Sequence, residues 1–255
     1  MISTELQAIY IMWLRQMKRF VRYRSRLLVT FIQPLFFLAI FGSGFRNISI
    51  PGMETGNYIN FFSAGVITMA IMFSSMFTGI SVLWDKQFGF LQEVLVAPIS
   101  RFSIIIGRTL GGATTALIQG FVILGIIVIL GVPISGIFGL LIAIIFMVLI
   151  AFASVGFGLI LASKMRDAQT FPLIMNLLIM PLLLVSSAFF PLKALPAEVG
   201  IISKLNPIFY MVDGLRGSLI GQDNIFPPWI NLVALLVICI ITMSLGSYFF
   251  SKSEV

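Results

Sequence analysis

The chain of 255 residues is 59% hydrophobic and 10% charged, with a mean hydropathy of +1.11. A soluble domain carries about 25% charged residues, so this composition leaves too little polar surface to cover a water-facing globule and marks an integral membrane protein. The net charge of +7 sits at membrane edges and does not point to nucleic acid, while the lack of histidine and a single cysteine, Cys239, remove the commonest general base, the commonest metal ligand and any intrachain disulfide.

In chain order, residues 1–26 come first. From residue 3 they are amphipathic: Leu6, Ile9, Tyr10, Trp13, Met17, Phe20 and Val21 fall on one face of a helix. Arg15, Lys18, Arg19, Arg22 and Arg26 fall on the opposite face, and Ile11 and Arg24 break the pattern. A helix with a basic face and a Trp/Phe/Leu face lies in the bilayer interface. No short apolar core with a small-residue cleavage site precedes the first long apolar run, so no cleavable signal peptide is expected.

Six membrane spans follow, at 27–45, 59–83, 103–130, 136–162, 170–190 and 229–250. Each is long enough, at 1.5 Å per residue, to cross roughly 30 Å of hydrocarbon. Gln33-Pro34 predicts a kink in the first. The second is rich in Met69, Met72, Phe73, Met76 and Phe77. Arg108 lies near the start of the third, and Gly111-Gly112 loosens it. The fourth carries Ala151, Ala153, Ser154, Gly156 and Gly158, where another helix can pack closely. The fifth contains Pro172 and Pro181. Between the spans lie a polar loop at 46–58, a tight turn at 131–135 and a charged loop at 163–169. With six spans both termini share one side. Twelve of the 16 Lys and Arg residues fall on it, so both termini are expected in the cytoplasm of a cell-membrane protein.

Two segments interrupt the apolar pattern. In 84–101, Trp84, Phe88, Leu91 and Leu95 form one helical stripe, with Asp85, Lys86, Gln92 and Glu93 elsewhere on the wheel. Pro98 ends the helix and Arg101 follows. The segment reads either as an interfacial linker or as a docking helix for a separate motor protein. A structured loop of this length is uncommon without a role. The second segment, 191–228, holds helices at 195–205 and 209–219 broken by Asn206-Pro207. Asp213 and Arg216 are spaced to pair on one helical face.

The chemistry is informative by what it lacks. There is no GxxxxGK[ST] phosphate loop, no nucleophile beside a base, and no carboxylate in the middle of any span. Neither catalysis nor ion-coupled transport has its usual groups. Met72, Phe73, Met76, Phe77, Ser186, Ser187 and Phe189 are the candidates for a substrate path, since pliable apolar walls suit an amphiphilic or lipid-like cargo.

The loop residues Gly89, Glu93, Leu95, Ala97, Pro98, Ile99, Ser100 and Arg101 resemble the second-to-third loop of the ABC-2 permease family. A second motif, Pro207, Ile208, Phe209, Tyr210 and Arg216 with Leu195-Pro196 upstream, is similar to that family's C-terminal signature. The likeness covers essentially the whole chain and is closest to drug- or lipid-exporting, daunorubicin-resistance-like permeases with separate ATPase chains. It implies an all-α fold with six transmembrane helices, an N-terminal interfacial or connecting helix, a coupling helix at 84–101 and re-entrant helices at 191–228. It also implies that Asp85, Lys86, Phe88, Gly89, Leu91, Glu93, Leu95, Pro98 and Arg101 dock the ATPase. Phe88, Leu91 and Leu95 would be the apolar anchors, with Asp85, Lys86 and Glu93 at the rim. Trp13, Arg15, Arg19 and Arg22 would lie beside the same partner. Pro207, Tyr210, Asp213 and Arg216 would form an outer gate. ATP and Mg would be bound by the partner ATPase, with no cofactor or metal in this chain, and two permease copies would pair as a homodimer. The rival expectations are a polysaccharide-chain exporter of the same family and a non-transporting receptor or scaffold.

Overall fold

The computed structural model describes residues 2–22, 24–45, 58–89, 99–165 and 167–252, with no strand among them. The helices are α1 (Ile2–Arg22), α2 (Arg24–Gly44), α3 (Tyr58–Gln87), α4 (Arg101–Ile129), α5 (Gly136–Lys164), α6 (Thr170–Val185), α7 (Ala197–Leu205), α8 (Pro207–Leu219) and α9 (Pro228–Lys252). Among the described residues, four helices are long and apolar enough to cross a membrane: α3, α4, α5 and α9. Of the other two expected spans, α2 holds the apolar stretch Phe31–Gly44 among the described residues, and α6 is an apolar helix shorter than the expected span. At 16 residues α6 is about 24 Å long.

Helix α3 is the centre of the bundle. In its most apolar stretch 89% of residues are buried, against 11% in α9, which lies at the periphery. α2, α4, α5 and α8 pack around α3, and α9 packs along α5. The small residues of α5 mark its closest approaches, as their sequence suggested. A Cβ on Gly79 of α3 would lie 2.7 Å from the Gly158 carbonyl. A Cβ on Gly156 would lie 2.8 Å from the backbone of Thr242 in α9. Backbones can approach this closely because no side chain intervenes, which favours van der Waals association in lipid.

Four element boundaries differ in ways that matter from the sequence reading. α3 continues past Leu83 to Gln87, so Trp84, Asp85 and Lys86 form its last turn and do not open a separate helix. It ends in a glycine cap: Phe88 N–H donates to the Trp84 carbonyl, and Gly89 takes a left-handed φ of 75°. The expected stripe is therefore split, with Trp84 on α3 and Phe88 beyond it. The fifth expected span stops at Val185 instead of 190, because Ser187 adopts φ 60° and turns the chain. The helices expected at 195–205 and 209–219 begin at Ala197 and Pro207. Asn206 caps the second through Ile208 N–H, and Pro207 stands where no intrahelical N–H is needed. The expected 46–58 loop lies outside the described residues except for Tyr58, which begins α3.

The chain direction gives the bundle two unlike ends. The end of α3, the starts of α4 and α6 and the ends of α5 and α9 share one end, together with Arg15, Arg19, Lys86, Arg101, Arg108, Lys164 and Lys252. Tyr58, Ser187, Arg216 and the α4–α5 turn lie at the other.

Candidate functional site

At the basic end one carboxylate meets three guanidinium groups. Asp85 is 4% exposed. Arg15 grips it with both nitrogens, Nη1 to Oδ2 at 2.9 Å and Nη2 to Oδ1 at 2.6 Å. Arg108 Nη2 lies 2.8 Å from Oδ2, and Arg19 Nη1 is 3.6 Å from Oδ1. The Arg108 contact is close but poorly angled, so it is an ion pair without a directed hydrogen bond, and Nε and Nη1 of this buried side chain find no acceptor among the described residues. Arg19 also stacks over Trp84 at 5.4 Å, and Arg108 lies 5.9 Å from the Phe250 ring. The cluster joins α1, α3, α4 and α9 within a few residues of Gly89.

Helix α1 reaches this cluster by lying along the first turns of α4. Glu5 accepts from the backbone N–H and hydroxyl of Ser100, the residue that caps α4 through Ser103 N–H. Further along, Trp13 Nε1 donates to Thr114 Oγ1 at 3.1 Å. Between them Gly107 and Gly111 admit the backbone of α1: a Cβ there would sit 2.7 Å from the Ile9 carbonyl and 2.6 Å from Gln16 Cβ. The rising register of these pairs means that the two helices run parallel. Hydrogen bonds from Ser103 and then Ser100 hold the Glu5 carboxyl below its ordinary value. The buried line of α1 is Ala8 and Met12, while Leu6, Tyr10 and Val21 remain exposed on the face expected to meet lipid. Arg15 and Arg19, expected on the basic face beside the ATPase partner, turn inward to Asp85.

At the opposite end, the carbonyls released where α6 breaks are recovered one by one. Asn206 Nδ2 donates to the Leu182 carbonyl at 2.6 Å, and Ser203 Oγ donates to Val185. Tyr58 Oη donates to the Phe189 carbonyl at 2.8 Å. Arg216, fully buried, sends Nε to the Phe61 carbonyl at 3.1 Å and Nη2 to the Ser187 carbonyl at 2.5 Å, and its guanidinium lies 3.7 Å over the Phe61 ring. Backbone that leaves the helical ladder inside an apolar bundle requires this kind of repayment. The expected Asp213–Arg216 pair does not form. Asp213 instead accepts from Ile225 N–H, Phe226 N–H and Asn231 Nδ2, at 2.8, 3.0 and 2.8 Å. Each group finds fixed polar partners on other elements, and these win over a neighbour one helical turn away.

The other candidates are placed as follows. Phe88 is 81% exposed beyond the end of α3, and Lys86 is half-buried. Asp85, expected on a docking rim, is enclosed by its arginines. Arg101 is exposed and donates to the Ser251 carbonyl at the end of α9. Leu91, Glu93, Leu95, Ala97 and Pro98 lie outside the described residues. Arg22 is exposed and Trp13 half-buried. Tyr210 donates to the Lys204 carbonyl and stacks on Phe226. Met72 and Met76 line an apolar cavity of about 60 Å³ with Phe157, Ile179 and Met211. Phe73, Met76 and Phe77 line a groove of about 150 Å³ with Phe171 and Met175. Ser186, Ser187 and Phe189 lie outside both: they are buried, Ser187 holding Arg216 and Phe189 packing on Phe37, Phe41 and Phe62. Sequence reasoning placed Arg108 near the start of the third span without giving it a role, and it did not single out Tyr58, Ser203 or Asn231. A polar residue in or beside an apolar run was the available signal for each.

The family model for the ABC-2 type transporter matches residues 7–220. The chain belongs to the ABC-2 type transporter family. It is 29% identical over 258 residues to a protein of Cyanophora paradoxa named as the transport permease ycf38, covering 97% of this chain and 89% of that one. It is 26% identical over 240 residues to the inner membrane transport permease YadH of Escherichia coli, covering 91% and 90%. A protein of the same bacterium named as a multidrug ABC transporter permease, YbhR, is 26% identical over 190 residues, covering 74% and 50%. The chain is thus a membrane-embedded permease of the ABC-2 type. Such permeases have no ATPase site of their own and work with an ATPase partner. The missing phosphate loop agrees with that division of labour.

Proposed function

We propose that the chain is the permease half of an exporter, moving an amphiphilic drug-like or lipid-like substrate outward by alternating access. A separate ATPase drives it, and two copies of the chain pair as a homodimer with six spans each. The basic end is cytoplasmic, and the coupling segment runs from the end of α3 through Gly89 to Arg101, with Phe88, Leu91 and Leu95 as anchors and Lys86, Glu93 and Arg101 at the rim. Trp13, Arg15, Arg19 and Arg22 belong to the connecting helix beside it. The segment of α7 and α8 dips into the outer leaflet as the gate.

The observation that carries this reading is the Asp85 cluster. It ties α1, α3 and α4 together at the turn from which the proposed coupling segment departs. A load applied there is shared among the helices instead of bending α3 alone. ATP binding would draw the two coupling segments together, and the two permeases would rock so that their substrate affinities differ between states. The apolar walls around Met72 and Met76 and the multidrug wording attached to YbhR both support an apolar or amphiphilic class of cargo.

Co-purification with the cognate ATPase, followed by ATP turnover across candidate amphiphiles, tests the proposal. Leu91→Asp or Glu93→Arg is expected to lower both complex recovery and substrate-stimulated turnover at least tenfold. Unchanged complex and turnover in both variants would remove the docking assignment. A lasting ion-conducting pore would favour the polysaccharide-chain reading instead.

A further inference from the structure

A groove of about 480 Å³ opens on the side of the bundle between the first turns of α4 and the last turns of α9, with Phe152 of α5 between them. Its walls are mostly apolar and include Phe102, Ile105 and Met243. Both flanking helices pack along α5 but touch each other little. Thr109 lines the groove, is 2% exposed, and its hydroxyl finds no partner among the described residues. Inside an apolar wall such a group is costly unless something supplies an acceptor or donor.

The mouth of the groove is basic. Arg101 begins α4, and its guanidinium reaches the Ser251 carbonyl. Lys252 lies 4.7 Å from the ring of Tyr248, a groove residue. The acids described at this end are engaged elsewhere: Asp85 by Arg15 and Arg108, Glu5 by Ser100, and Asp167 by the N–H groups of Gln169 and Thr170.

We propose that this groove is a binding site for an anionic glycerophospholipid, which the permease holds as a resident lipid and does not transport. An acyl chain lies between α4 and α9, the glycerol ester oxygens reach Thr109, and the phosphate sits at Arg101 and Lys252. Charge complementarity selects this occupant: an apolar slot with a cationic rim at the membrane surface matches a lipid that carries both parts. The site goes beyond the proposed transport function and does not depend on the identity of the cargo.

Native mass spectrometry of the full chain in detergent, titrated with dioleoylphosphatidylglycerol or dioleoylphosphatidylcholine, tests it. The glycerol lipid is expected to bind roughly tenfold tighter. Arg101→Ala combined with Lys252→Ala should bring it down to the choline lipid's level without changing the latter. Ser247→Trp, which fills the groove from α9, should weaken both. The charge variants alter helix ends only, so they keep the test decisive if the tryptophan variant misfolds. Equal binding of the two lipids by the unaltered chain, or tight glycerol-lipid binding that survives the double alanine variant, would overturn the proposal. So would disulfide cross-linking of Ser247→Cys between two copies in a Cys239→Ala background, which would assign the groove to a contact between chains.

Discussion

Replacing Asp85 with Asn keeps the shape of the side chain and removes its charge. The Arg108 side chain is 5% exposed, and Asp85 is its ion-pair partner, so the substitution strands a buried cation. Breaking a buried pair in this way costs about 3–5 kcal/mol. Arg15 contributes less despite its two-pronged grip, because its side chain is 34% exposed and water screens it. Arg15→Ala is expected to cost about 1 kcal/mol. The two cases separate in a cycle. Arg108→Met alone leaves Asp85 with Arg15 still in place and should cost less than Asp85→Asn. The double variant Asp85→Asn with Arg108→Met removes the stranded charge and should recover most of the loss. Reversible unfolding in mixed detergent micelles, followed by circular dichroism, measures each variant. If Asp85→Asn lies within 1 kcal/mol of the unaltered chain, or if the double variant simply adds the two single losses, the cluster does not act as a buried unit.

Arg216→Lys should destabilise by about 1.5–3 kcal/mol, because an ammonium cannot span the Phe61 and Ser187 carbonyls as the guanidinium fork does. Ser187→Ala should be nearly neutral in the same melt, since Arg216 holds the Ser187 backbone and its hydroxyl contact is 3.4 Å long. Gly107→Leu should force α1 away from α4 at a cost of about 1–3 kcal/mol, while Gly125→Leu, with open space at its Cβ, serves as the neutral control. Trp13 fluorescence, sensitive to the contact of its ring N–H with Thr114, reads the displacement. On acidification the Glu5 contact to Ser100 is fully present at neutral pH and is lost as pH falls through the lowered folded value, below the ordinary 4.5. Trp13 fluorescence should report that loosening, and Glu5→Gln should remove its pH dependence.

The four long apolar helices were legible because lipid selects long apolar runs, and hydropathy sees those directly. It does not see where the hydrogen-bond ladder stops. The apolar run of α3 ends at Leu83, yet the helix continues until Gly89 supplies a left-handed residue. α6 fails the other way: its apolar run reaches Phe190, but the helix breaks after Val185 because partners for its loose carbonyls exist on α3, α7 and α8. Asp85 shows the same limit in charge. The family resemblance implied a rim contact for it, while the arginine that grips it is 70 residues away in sequence and on another helix. Helical spacing gave Arg216 a neighbour in Asp213, but its acceptor at Phe61 is 155 residues distant. Spacing states which pairs are permitted; only the packed bundle states which are cheaper.

The two clusters share α3. Asp85 anchors its last turn to α1 and α4, and Phe61 anchors its first turn to Arg216 of α8. About 36 Å of continuous helix separates them at 1.5 Å per residue. Most of that length is buried, so α3 cannot flex locally without disturbing its neighbours. Under the proposed function, a displacement applied beyond Gly89 should therefore reach the Arg216 end through rigid movement of α3, with Asp85 binding α1 and α4 into the same body. Loss of Asp85 should leave Arg216 seated and the outer end folded and, besides its cost in stability, should fail in passing the displacement along. The stability loss and the coupling loss then part company: Asp85→Asn with Arg108→Met restores the melt but not the grip of Arg15 on α3. If that double variant also restores full substrate-stimulated ATP turnover, the junction serves stability alone, and the lever runs through packing instead of charge.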